Sequence, residues 1–139
     1  MRSTLHESSV VPTILPIVCN DDTEGTGTAV DLRGYGGATV VFAIGASGDT
    51  LSGSVKLAPK VQHSDAAGSG FVDVPAAELD GGQPTEIDAA AEDEIVVAVG
   101  YLGTKRYLRA FVDMTGTHTA GTPLTAVIIR SLPTYLPAS

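Results

Sequence analysis

Apolar residues recur along this chain with a period of two, in short runs broken by clusters of Gly, Pro, Asp and Ser. The cleanest run is 38–44, where Val40, Phe42 and Ile44 share one face. In 52–62, Val55, Leu57 and Val61 alternate with Ser54, Lys56, Lys60 and Gln62, the pattern of a half-exposed antiparallel strand. Pro59 falls on the apolar face of that run and predicts an edge or a bulge. The other strong strands are 94–101, 105–114 and 124–131. Weaker ones are expected at 10–19, 28–33, 71–74 and 85–88, with one helical turn at 75–79. About nine strands at a spacing of roughly 8 to 12 residues point to an all-β fold. No helix of ordinary length, no βαβ alternation and no internal repeat competes with this. The predicted class is an antiparallel β-sandwich of jelly-roll or Greek-key type.

The same pattern sets boundaries. Residues 1–9 are polar and read as a flexible N-terminal arm, 10–131 as a single sandwich domain, and 132–139 as a C-terminal tail. The run 10–19 is apolar but carries Pro12 and Pro16, which cannot donate ladder hydrogen bonds. It belongs on a sheet edge or extends away from the body as an arm. Val10, Val11, Ile14, Leu15 and Ile17 are therefore candidates for packing on a neighbouring subunit. Two strands are apolar on both sides. In 105–114, Leu108, Ala110 and Val112 lie opposite Tyr107, Arg109 and Phe111; in 124–132, Leu124, Ala126 and Ile128 lie opposite Val127 and Ile129. Such strands need cover on both faces, from a long loop, a second copy or a larger scaffold.

Composition sharpens this. The chain has 139 residues, enough for one domain with a sizeable core. Only 17% of residues are charged, low for a small protein whose whole surface meets water. The formal net charge of −8 gives no field for a phosphate backbone, so direct nucleic-acid binding is not expected. Cys19 is alone, which leaves no intrachain disulfide, and a lone cysteine in an apolar run reads as a small buried hydrophobe. The segment 10–19 lacks the basic flank and small residues of a secretion signal, and no run is long enough for a membrane helix.

The search for chemistry returns little, and no catalytic residue, cofactor or metal is predicted. Gly45-Ala46-Ser47-Gly48 lacks the spacing of a hydrolase elbow. His6, His63 and His118 fall in separate predicted loops or termini without zinc-site spacing, and His63 with Asp65 reads as a solvated turn pair. Asn20-Asp21-Asp22-Thr23-Glu24-Gly25, with Asp31 twelfth, loosely matches a calcium loop but is flanked by strands and ends in the shorter Asp. Seven carboxylates between Glu78 and Glu94, with no base among them, read as a solvated outer face.

The densest feature is 100–109, Gly-Tyr-Leu-Gly-Thr-Lys-Arg-Tyr-Leu-Arg. It holds three of the eight basic residues, after a stretch from Lys60 to Lys105 with none between. It is expected to form a hairpin corner, Leu102-Gly103-Thr104, between two central strands. Lys105, Arg106, Tyr107, Arg109 and Phe111 can then serve either of two ends: contact with another subunit, or neutralisation of the chain's own acidic loops.

The order of segments carries a resemblance. An apolar N-terminal run, Val30-Asp31-Leu32-Arg33-Gly34-Tyr35, the Tyr-x-Gly-x-Lys-Arg-Tyr segment at 101–107, the Ala126–Ile129 strand and a proline-containing tail follow one another. Together, from Val10 to Pro137, they resemble small virion structural proteins from the head-gene modules of tailed double-stranded DNA phages. Several of those are capsid decoration, or cement, proteins with jelly-roll folds. The resemblance implies a non-enzymatic protein on the capsid exterior. Its partners would be the major capsid protein and further copies of itself, as a dimer first and a trimer second, with no membrane involved. A glycan-binding virion module and a head–tail or tail component are the alternatives.

Overall fold

The computed structural model describes residues 1–134. They form an all-β sandwich of two packed antiparallel sheets. The strands are β1 (Ser8–Cys19), β2 (Val30–Asp31), β3 (Tyr35–Ile44), β4 (Lys56–Ser64), β5 (Val72–Asp73), β6 (Leu79–Asp80), β7 (Ile95–Tyr101), β8 (Tyr107–Thr115) and β9 (Thr122–Pro133). One sheet has the order β1-β9-β3-β7-β6, the other β2-β8-β4-β5. Most connections therefore cross from sheet to sheet. The only helical pieces among the described residues are single 3₁₀ turns at Ala76–Glu78 and Ala90–Glu92.

The core lies where the inward residues of each strand meet. Val40, Phe42 and Ile44 of β3 and Ala126 and Ile128 of β9 face Leu57 and Val61 of β4 and Leu108, Ala110 and Val112 of β8. Pro59 keeps its place on the inner face of β4. Leu57 donates its N–H to Ile87 O (3.1 Å), and Val61 donates its own to Gln83 Oε1 (2.9 Å), both away from β8. The missing Pro59 N–H thus falls on the open edge, as a strand proline requires.

Several expectations are corrected. β1 begins at Ser8, inside the segment expected as an arm, and pairs with β9, so of the two placements expected for 10–19 the sheet edge is the one observed. β9 runs to Pro133, and Thr134 N donates to Gly34 O, so 132–134 belong to the sheet; the rest of the expected tail lies outside the described residues. The weak strand at 85–88 is a single bridge between Ile87 and Leu57. Glu94 precedes β7, with a left-handed φ of 54°. The segment 102–106 is not a hairpin: β7 pairs with β3 and β8 with β4, so it arches from one sheet to the other.

The bulges in β1 have a clear cause. Its register with β9 slips between Pro12 and Ile14 and again between Ile14 and Ile17. The first slip turns Thr13 inward, where its hydroxyl donates to Thr28 O (2.8 Å) and accepts from Ala110 N–H (3.2 Å). One hydroxyl thus ties β1 of the first sheet to β8 of the second. Segment 25–28 runs edge-on along β8: Gly27 N donates to Ala110 O, and Val112 N donates to Gly25 O. A side chain at Gly25 would strike the Val112 carbonyl, so the close approach requires glycine there.

Candidate functional site

The arch at 100–109 is anchored from below by Tyr101. Its ring turns into the interior and its hydroxyl lies 2.8 Å from Nδ1 of His63, with the two rings edge to face at 85°. The same hydroxyl accepts the Lys105 N–H at 3.1 Å. Gly103 crosses directly over the Tyr101 ring, where any side chain would collide with it. His63 is therefore a buried core residue on β4, not the solvated turn partner of Asp65 that its sequence neighbours suggest. Burial pushes the His63 imidazole below its ordinary pKa and the Tyr101 phenol above its own.

The bases above the arch are used within the chain. Lys105 Nζ meets Asp65 at 2.9 Å. Arg106 grips Asp31 with two parallel bonds, Nε to Oδ1 at 2.9 Å and Nη2 to Oδ2 at 2.8 Å. The guanidinium holds the Asp31 carboxyl down at about 2. Arg109 lies 4.2 Å over the Phe71 ring and donates twice to Gln62 Oε1. Tyr107, Arg109 and Phe111 form the half-buried outer side of β8, beside Lys60, which bridges Asp73 (3.4 Å) and Asp113 (3.5 Å). The outer face of the four-stranded sheet is thus polar, and the charged partners on it are from this chain.

The opposite face is different. Hydrogen-bond register places Val10, Ile129, Thr39 and Gly100 in one row across β1, β9, β3 and β7. Pro12, Val127, Val41 and Ala98 form the next row, and Thr125, Ala43 and Val96 a third. No charged side chain occurs in these rows; Asp80 and Glu94 stand at the rim. Val10 is 63% exposed and Val96 72%, so the face is open to solvent. It ends in a shallow, mostly apolar groove of about 750 Å³ lined by Pro16, Ile17, Val18, Ile95 and Val96, with Glu94 in its wall.

The ten residues singled out from sequence are divided by this architecture. Val10, Leu15 and Ile17 lie at the exposed margin of the apolar face. Ile14 does not: the bulge turns it into the core, and Val11 packs partly against the core beside it. Lys105, Arg106, Tyr107, Arg109 and Phe111 belong to the arch and the other sheet, facing away from the β1 residues. Val41 and Val96, which complete the apolar face, are invisible to periodicity because β3 and β7 are apolar at nearly every position.

Two further clusters have structural explanations. Asp21 Oδ1 caps Glu24 N, Glu24 Oε1 caps Asn20 N, and Asp22 Oδ1 accepts Met114 N, so these three carboxylates serve backbone amides, while Asp31 pairs with Arg106. Asp49 accepts the N–H groups of Thr119, Ala120 and Gly121, which hold its carboxyl below the usual range, and lies 3.3 Å from Nδ1 of buried His118. Ser47 is near, but His118 Nε2 faces the carbonyls of Lys56 (3.2 Å) and Thr115 (2.9 Å) rather than a hydroxyl. The trio pins two loops together and is not arranged as a proton relay. Among the described residues no group of three or more His, Cys, Asp or Glu is placed to hold a metal ion. No helix among them is long and apolar enough to cross a membrane. No protein family, curated protein or solved structure matches the chain.

Proposed function

We propose that this chain is a capsid decoration protein that binds the outside of a phage head and stabilises it by bridging major capsid protein subunits. One observation carries the reading: an uncharged, apolar sheet face, spanning four strands, stands open on an otherwise acidic domain. The strand order adds support. With the two-residue β6 set aside, we read the orders β1-β9-β3-β7 and β2-β8-β4-β5 as those of an eight-stranded jelly roll, an architecture of viral capsid and lectin domains. The acidic surface suits a position outside the shell, away from packaged DNA.

The mechanism is linkage. A protein that binds the mature lattice and not its dissociated subunits stabilises that lattice in proportion to its occupancy. Each Å² of apolar area removed from water contributes about 25 cal/mol, so a face of this kind can supply the driving force without any covalent step. The test is to add purified protein to heads of the phage that encodes it, prepared without the protein. Gel densitometry then counts bound copies, and heating measures shell survival. Saturation on the scale of the shell lattice, with a higher disruption temperature, is expected. Saturation on the scale of one portal vertex would instead place the protein at the head–tail junction, and absence of binding would defeat the reading.

A further inference from the structure

We propose that the open face of the five-stranded sheet packs against the same face of a second copy of this chain. The inference rests on reading that face as an assembly surface, and it names the occupant.

Size comes first. Four strands, β1, β9, β3 and β7, at about 4.8 Å spacing make a face ~19 Å wide. The paired length of β3 and β9, ten residues at about 3.3 Å each, makes it ~33 Å long. Two such faces pressed together cover roughly 1,200 Å², the lower bound for a specific, stable interface. Sheets meet in this way at about 10 Å separation with strands inclined by about 30°, as the two halves of a sandwich do.

Charge then selects the occupant. Each copy carries −8, so most approaches of two copies bring carboxylates together. Among the described residues, the rows across β1, β9, β3 and β7 hold no ionised group; the nearest carboxylate in register is Asp80 on the β6 edge, beside Gly100. On the opposite sheet, Asp73 and Asp113 stand beside Lys60, and Asp31 stands beside Arg106. A face whose central row is Pro12, Val127, Val41 and Ala98, with hydroxyls only at Thr39 and Thr125 in the flanking rows, offers little to select an unrelated charged partner. It is, however, complementary to itself under a two-fold axis, because Val, Ile, Ala and Thr rows meet equivalent rows.

The test compares wild type with Val127→Glu, at the centre of the face, and with Val96→Glu, whose side chain is already exposed and so can change without disturbing the core. Analytical ultracentrifugation gives the oligomeric state, and circular dichroism confirms that each variant is folded. A dimeric wild type is expected, with the dissociation constant raised ~100-fold or more by a carboxylate that meets its own copy across the interface. A wild type that dimerises equally well with both substitutions overturns the inference. A wild type that is monomeric at every concentration also overturns it. In that case binding to undecorated shells separates the two readings: loss of shell binding in Val127→Glu keeps the face as an assembly surface with a different occupant, and unchanged shell binding defeats both.

Discussion

Replacing Tyr101 with Phe removes one oxygen and leaves the ring that fills the space under Gly103. The structure sets the magnitude. The hydroxyl serves two partners, His63 Nδ1 at 2.8 Å and Lys105 N–H at 3.1 Å. His63 is buried, so its ring nitrogen has no water to turn to, and an unsatisfied buried polar group costs about 1–3 kcal/mol. Lys105 is partly exposed and its amide can be rehydrated at smaller cost. A total of about 2–3 kcal/mol follows, which for a domain of this size lowers the melting temperature by roughly 6–12 °C. Urea unfolding of the isolated protein measures it. The double variant Tyr101→Phe with His63→Leu removes both buried partners, and should be less destabilised than the two single losses added together. A Tyr101→Phe cost below about 0.5 kcal/mol, or strict additivity in the cycle, would refute the claim that this pair anchors the arch.

The same pair gives a pH dependence. Burial holds the folded His63 below its unfolded value of 6.5, so the unfolded chain takes up its proton first. The His63 contribution is complete above that value and is lost as pH falls from 6.5 through the depressed folded pKa; His63→Leu should remove its part of the slope, at most about 1.4 kcal/mol per pH unit. Asp31 acts lower: its carboxyl is held at about 2 by Arg106 against an ordinary 3.8, so its contribution is present above 3.8 and lost between 3.8 and about 2. Because both side chains are more than a third exposed, Asp31→Asn should cost only about 0.2–1 kcal/mol at neutral pH by urea titration. Thr13→Val keeps the shape but strands Thr28 O and Ala110 N–H, and should lower stability by about 1–3 kcal/mol in the same assay. Cys19 is fully buried, with its thiol pushed up to about 11 by burial and then by Glu24, so thiol reagents should modify it only on unfolding.

The sandwich was legible because Leu57 and Val61 of β4 alternate with polar residues, because Val40, Phe42 and Ile44 recur at every second position of β3, and because Gly and Pro clusters bound each run. Pairing was not. The ten residues from Gly100 to Arg109 look like a hairpin corner, since a short Leu-Gly-Thr link between two strands is a local signal. What makes the link an arch is Tyr101 reaching His63, 38 positions away, and no local pattern encodes that contact. Thr13 tells the same story from the other end. Its hydroxyl meets Thr28 and Ala110, and the bulge that turns it inward also carries Ile14 from the expected interface into the core. The basic cluster drew attention through composition, yet Lys105 and Arg106 neutralise Asp65 and Asp31 of the same chain. The open face was half visible: Val127 and Ile129 of β9 read as a second apolar side, but in β7, Ile95 to Val99 is apolar throughout, so periodicity does not mark exposed Val96 apart from buried Val99.

The central claim is that the uncharged face of the five-stranded sheet drives assembly. Its most direct test is the binding of three proteins to undecorated heads: wild type, Val127→Glu on that face, and Ala58→Glu on the outer side of β4, between Lys56 and Lys60. Wild type and Ala58→Glu should saturate the shell, and Val127→Glu should bind weakly or not at all. Full binding by Val127→Glu, with the protein shown to be folded, would contradict the account.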